Sequence, residues 1–287
     1  MTYIIRGWMS GAQQSVTARS EVSSPSTPAI DIRNLTRRFG LTTAVDHIDL
    51  RVSSGDVFGF LGANGAGKST TIKMLTTLLP PDSGSASVAG FGVVSRAHEV
   101  RRRIGYVPQM LSADGALTGY ENLPLSARLY GVAAQRARIE ETPAFMGLSE
   151  FANRLVKTYS GGMVRRLEIA QSMLHRPAVL FLDEPTIGLD PVAKRAVWEH
   201  LRGLNRDFGI TILLTTHDME EADVLSSDIA VMHAGQIAAH GSAAVLKARV
   251  APGANLEDVF TYFSGTLDEA GRLRDSVETR RTAARRG

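Results

Sequence analysis

Apolar positions along this chain fall into short blocks with two distinct rhythms. Runs at Ile48–Val52, Asp56–Leu61, Ile104–Val107, Val179–Asp183, Thr211–Thr215 and Ile229–His233 are β-rich, several of them apolar at nearly every position. Unbroken apolar runs of that length predict strands buried on both faces. Between them, Lys68–Leu79, Gly161–Leu174, Val192–Asn205 and Met219–Leu225 carry helical patterns. Buried strands separated by helices predict an α/β fold, a mainly parallel sheet covered on both sides. From about Leu111 to Thr158 the rhythm changes: no strand pattern is present, and Tyr120–Tyr130 and Ala133–Phe145 read as helices. Inserted between two strands, these predict a helical subdomain, over about residues 111–175.

The two ends lack this order. Residues 1–29 are rich in Ser, Thr, Ala and Gln without hydrophobic periodicity. They are expected to form a mobile, disordered extension, an early start codon being the other reading. Order is expected from Ile30, where Ile30, Ile32 and Leu35 open an apolar pattern, and the main domain is placed over residues 30–245. Residues 246–287 are expected to form a C-terminal extension, whose end collects Arg272, Arg274, Arg280, Arg281, Arg285 and Arg286. A solvated tail is the plain reading of such a cluster, contact with anionic lipid headgroups the sharper one.

Composition then removes several classes. With 287 residues, 44% of them hydrophobic, the chain can bury a substantial core. No run approaches the roughly eighteen apolar residues of a membrane-spanning helix, so work at a membrane would need another chain to cross it. The absence of cysteine excludes disulfides and thiolate metal sites. The apolar patch Tyr3–Ile5 is too short for a secretory signal, and a cytoplasmic location is expected. A net charge of +3 gives no ground for a nucleic-acid partner.

The chemistry begins at Gly62-Ala63-Asn64-Gly65-Ala66-Gly67-Lys68-Ser69, which fits G-x-x-x-x-G-K-[ST] at every fixed position. Its glycines let backbone N–H groups converge on phosphate oxygens. Lys68 offers a charge to the β- and γ-phosphates, and Ser69, followed by Thr70, a hydroxyl to Mg²⁺. The helix that starts there adds its positive end. The apolar run Val57–Leu61 leads straight into the loop. A second run, Val179–Leu182, ends in Asp183 and Glu184. On a parallel strand these acids lie at the C-terminal edge, where ligands bind. Asp183 suits a Mg²⁺ ligand acting through water, and Glu184 a base orienting the attacking water.

Both motifs fit any P-loop NTPase. Tyr159-Ser160-Gly161-Gly162-Met163 narrows the class, because it resembles the L-S-G-G-Q signature of ABC ATPases. Ser160 and two glycines at a helix start form another anion site. The resemblance covers roughly residues 30–245. It implies a RecA-like core, an antiparallel β subdomain and the inserted helical subdomain. It also implies a role for Phe39 (stacking on adenine), Gln109 (contacting Mg²⁺ and water, beside permease-facing helices), Asp190 (in the D-loop at the dimer seam) and His217 (contacting the γ-phosphate). Outside this series Phe39 reads as core and His217 as structural. Leu117-Thr118 with Glu121-Asn122-Leu123, the short insertion, and Asn255–Phe260 are most similar to exporter ATPases of the daunorubicin-resistance kind. Tyr159 and Met163 replace the usual Leu and Gln of the signature.

The resemblance implies a subunit that binds and hydrolyses ATP with Mg²⁺, as a head-to-tail homodimer on the inner face of the membrane. It would drive a permease encoded on a separate chain. In that dimer Ser160, Gly161 and Gly162 close over the partner subunit's nucleotide. Two other readings remain: a non-transport ABC ATPase of translation or DNA repair, and a regulatory module that binds ATP without useful hydrolysis. The transported substrate is not written in this chain.

Overall fold

The computed structural model describes residues 28–132 and 135–268. The extension expected over residues 1–29 therefore lies, apart from its last two residues, outside the described residues, and so do the six tail arginines. Two sheets organise what is described. One is antiparallel, in the order β2-β1-β4-β5: β1 Ile30–Phe39, β2 Thr42–Val52, β4 Ser83–Val88 and β5 Phe91–Gly92. The other has the order β10-β9-β3-β8-β7-β6: β3 Val57–Leu61, β6 Ile104–Val107, β7 Val179–Asp183, β8 Thr211–Thr216, β9 Asp228–His233 and β10 Gln236–Gly241. All neighbours in this sheet are parallel except β10, which pairs antiparallel with β9.

Burial explains the second sheet. Every residue of β3, β7 and β8 is buried, and their side chains alternate between two cores. Leu180, Leu182, Ile212 and Leu214 point into one core, with Leu167, Ala170 and Met173 of α5 (Gly161–Met173) and Val197, Trp198 and Leu201 of α6 (Pro191–Phe208). Phe58, Phe60, Phe181 and Leu213 point into the other, with Ile72, Met74 and Leu75 of α1 (Lys68–Leu75) and Ile30, Ile32 and Leu50 of the antiparallel sheet. The short helix α2 (Ala97–Arg101) buries Val100 in that same core. Side chains alternating across a strand at period two produce this division.

The helical insertion is present as α3 (Gly119–Leu129) and α4 (Gln135–Phe145), followed by a 3₁₀ turn at Val156–Thr158. Thr118 starts α3 with a capping box: its hydroxyl accepts from Glu121 N, and Glu121 accepts from Thr118 N at 2.8 Å. Helix α1 stops at Leu75, four residues short of the expected end, where Thr77 takes φ 64°. Strand β2 begins six residues before the expected Ile48, paired to β1 across Gly40 and Leu41. Helix α7 (Met219–Leu225) precedes β9, and α8 (Ala243–Val250) and α9 (Leu256–Asp268) follow β10. Leu246, Leu256, Val259 and Phe263 pack on Leu61, Ile229 and Val231 of the sheet. The boundary expected at residue 245 thus falls inside α8.

Candidate functional site

Four neighbouring parallel strands end at one edge: Leu61 pairs with Thr216, Asp183 with Thr215, and Val107 with Leu182. The residues that follow them meet there. Gly62 N donates to Thr216 O (3.2 Å), which seats the phosphate-binding loop on β8. The loop needs its glycines. Gly65 and Gly67 have φ 81° and 106°, and a Cβ on Gly67 would stand 2.3 Å from Ala44 O. Gly67 caps α1, its carbonyl accepting from Thr71 N and Thr71 Oγ1. Asn64 and Gly65 form the exposed crest, and Thr70 sits half-buried in the first turn of α1.

Lys68 is 4% exposed, and its Nζ donates to Gly62 O (2.8 Å) and Ala63 O (3.0 Å), with Glu184 Oε1 at 3.6 Å. Burial lowers the ammonium below its ordinary pKa, and Glu184 opposes that fall. Ser69 Oγ donates to Asp183 Oδ1 (2.8 Å), which also accepts from Thr215 Oγ1 (2.6 Å). Glu184 has φ 49°, and its N–H is held by Thr215 O (3.1 Å) and Oγ1 (3.0 Å). A non-glycine residue in this region is strained and persists only where its surroundings fix it. Its Oε2 lies 3.3 Å from His217 Nδ1 and 3.5 Å from Gln109 Nε2. The structure therefore gathers Lys68, Ser69, Asp183, Glu184, Gln109 and His217 into one constellation. Thr215, which ties Asp183 to Glu184, is a residue that sequence reasoning missed; a threonine directly after the apolar run Ile212–Leu214 was the available signal.

A second group forms elsewhere on the chain. Ser160 caps α5, accepting from Met163 N (3.3 Å), and Asp190 caps α6, accepting from Val192 N and Ala193 N. These helix starts touch: a Cβ on Gly162 would lie 2.8 Å from Ala193 Cβ, and one on Gly161 3.0 Å from Leu189 Cδ2. The signature glycines thus permit close packing of the two helix starts. Phe39, at the end of β1, is half exposed with the Arg37 guanidinium 5.0 Å from its ring centre. That exposure excludes the core reading of Phe39.

Tyr159 is accommodated rather than anomalous. Its hydroxyl donates to Phe151 O (2.7 Å) and fills the space where a side chain at Gly119 would stand, only 2.2 Å away. We expect Gly119→Ala to destabilise the chain by about 1–3 kcal/mol through overpacking. Tyr159→Leu in the same background should recover most of the loss. Urea unfolding of the single and double variants checks this, and equal destabilisation of both would refute it.

Ser69 and Asp183 present adjacent oxygen donors to the loop, which suits a hard cation such as Mg²⁺. Among the described residues no group of three His, Cys, Asp or Glu side chains is arranged to hold a metal ion by itself. Mg²⁺ typically uses one or two protein carboxylates and completes its shell from phosphates and water, so this donor set fits it.

Comparison with known proteins agrees with the geometry. The ABC transporter domain family matches residues 45–187. The daunorubicin/doxorubicin resistance ATP-binding protein DrrA of Streptomyces peucetius is 47% identical over 86% of this chain and 74% of its own length. The Nod factor export ATP-binding protein I of Ralstonia nicotianae is 43% identical over 75% of this chain and 68% of its own. Among solved structures, an ATP-binding subunit of an ABC transporter is similar with TM-score 0.73 and 26% identity, over 82% of this chain and 99% of that one. A dimeric ATP-binding cassette in a post-hydrolysis state, bound to ADP and Pi, is similar with TM-score 0.66 and 25% identity, over 74% of this chain and 98% of that one. With a nucleotide loop, a carboxylate-bearing strand end and a separate signature helix in one fold, the chain belongs to the ABC transporter family as one of its ATP-binding, ATP-hydrolysing subunits.

Proposed function

We propose that two copies of this chain bind two ATP molecules head to tail, and that closure and reopening of this dimer drive a separate membrane permease in export. The observation that carries the reading is the presence on one chain of two separate groups whose chemistry suits phosphate, one around Lys68 and one at the Ser160 helix start. The solved dimeric relative supports it. Ser160, Gly161 and Gly162 of one subunit then close over the nucleotide held by Lys68 of the other, with Asp190 at the seam. Phe39 stacks on the adenine, its open face being available for that contact. Gly62, Asn64, Gly65, Gly67 and Thr70 belong to the phosphate cradle. Ser69, Asp183 and Gln109 would hold Mg²⁺, which when bound neutralises phosphate charge. Glu184 takes the proton of the attacking water, and His217 and Lys68 meet the charge that develops on the γ-phosphoryl group.

Export, of drugs or other amphipathic compounds, follows the names of the drug-resistance and Nod factor relatives. No helix among the described residues is long and apolar enough to span a membrane, so a permease subunit supplies the path. Its docking is supported by a groove of about 490 Å³ lined by Leu78, Arg102, Tyr106, Leu129 and Tyr130, where Leu78 and Leu129 stand exposed. Exposed apolar side chains gathered in one groove mark interaction surfaces. The chain would thus sit on the cytoplasmic face of the membrane. Leu129→Glu should abolish co-purification with the permease from detergent-solubilised membranes while ATP binding is unchanged. Undiminished recovery of the permease with that variant would rule out this groove.

A further inference from the structure

The segment from Pro108 to Ala113 leaves β6 as irregular chain, yet a single helix holds it at both ends. Arg165 and Glu168, one turn apart on α5, are buried and paired, Nη1 to Oε2 at 3.0 Å. The guanidinium also donates to Pro108 O (2.7 Å) and Gln109 O (2.8 Å). The other carboxylate oxygen accepts from Ser112 N, from Ser112 Oγ (3.1 Å) and from Ala113 N (3.3 Å). Between these two anchor points Met110 and Leu111 stand exposed. Apart from their bond to each other, the hydrogen bonds of the two charged ends among the described residues go to this one segment. A buried ion pair adds little net stability over apolar residues of the same volume. Its effect here is on geometry.

The side chain of Gln109 depends on that geometry. Its Nε2 is 3.5 Å from Glu184 Oε2, at the outer limit of a hydrogen bond, so a shift of a few tenths of an ångström makes or breaks the contact. We infer that Arg165 and Glu168 are positioning residues of the ATPase reaction: their clasp on residues 108–113 sets the reach of Gln109 toward Glu184 without touching nucleotide. The inference rests on the role proposed above for Gln109. Only a guanidinium can serve this clasp, because its planar fork reaches two carbonyls and a carboxylate together, whereas an ammonium is a point charge.

Arg165→Lys tests this while keeping a cation opposite Glu168, so that no buried carboxylate is orphaned. In the purified full chain at saturating MgATP, kcat is measured for wild type, Arg165→Lys, Gln109→Ala and the double variant. Misplacement of a catalytic contact by a fraction of an ångström should lower kcat about tenfold in Arg165→Lys. Affinity for a fluorescent ATP analogue should stay within about twofold, and the lysine should cost less than about twofold further once Gln109 is already alanine. A full tenfold loss in the Gln109→Ala background, or a matching loss of affinity, overturns the clasp and leaves Gln109 its role. Unchanged turnover in Gln109→Ala alone overturns both. If Arg165→Lys shows no cooperative melting, the same cycle with Ser112→Ala, which removes one bond of the clasp from the solvent side, decides by the same additivity rule.

Discussion

Replacing Lys68 with alanine should lower ATP turnover by at least about a hundredfold, the scale on which single charge-stabilising donors act in enzymes. The reason is positional. The ammonium is buried behind the loop, where it donates to Gly62 O and Ala63 O and lies 3.6 Å from Glu184 Oε1. Those two carbonyls are its resting partners, and nucleotide phosphate would compete for the same three donors. Among the described residues, the ion pairs around the Glu184 carboxylate bring it one lysine, Lys68, and one histidine, His217. Alanine therefore removes the phosphate contact and also leaves the Glu184 carboxylate without the lysine's charge. Thermal melting separates this from simple unfolding, and turnover near the wild-type rate in a folded Lys68→Ala chain would refute the assignment. Burial lowers the ammonium's pKa, and protonated Lys68 is the form that binds phosphate. The kcat/KM of the free enzyme should then fall on the alkaline side before the ordinary lysine range is reached.

Most of this site was legible because motif spacing encodes it. Lys68 and Ser69 open the helix after the loop that leaves β3, Asp183 closes β7 with Glu184 next to it, and His217 follows β8, so each chemical group is announced by the apolar strand before it. Those central strands were legible for the same reason: buried on both faces, they are nearly continuous apolar runs. The antiparallel strands carry a weaker signal. In β4, Ser-Gly-Ser-Ala-Ser-Val, only Ala86 and Val88 are buried, and small polar residues mask the alternation. Strand β1 shows Ile30, Ile32 and Leu35, a pattern broken where Asn34 takes φ 50° and the register shifts. The C-terminal helices were missed although Leu256, Val259 and Phe263 are spaced for one helix face. What spacing does not encode is pairing between distant segments. Gly119 makes room for Tyr159, Thr215 ties Asp183 to Glu184, and Glu168 anchors Ser112 across 56 residues of sequence. Each partner reads alone as an ordinary helix, strand or loop residue, and only the folded chain shows why it is there.

Glu184→Gln should separate binding from hydrolysis. Glutamine has nearly the same shape, and the backbone that places it is fixed independently of the side chain, through the Glu184 N–H bonds to Thr215 O and Oγ1. The left-handed φ of 49° is therefore expected to persist, and the amide should sit where the carboxylate sits. An amide cannot accept the water's proton, and loss of a positioned base typically costs a factor of about 10²–10⁴. Removing the negative charge beside Lys68 also removes repulsion toward the incoming γ-phosphate, so ATP affinity should be retained or increased. Binding without hydrolysis leaves the closed state with no route to reopening. With saturating MgATP, size-exclusion chromatography should then show Glu184→Gln as a dimer, while the wild type returns to monomer as ATP is consumed. The two arms fail separately. Wild-type turnover would remove Glu184 as the base, whereas slow turnover from a chain that stays monomeric would leave the base in place and remove the head-to-tail dimer. That separation matters because Lys68 and Ser160 lie in different groups on one subunit, and only the dimer arm asks whether the second group completes the first across two chains.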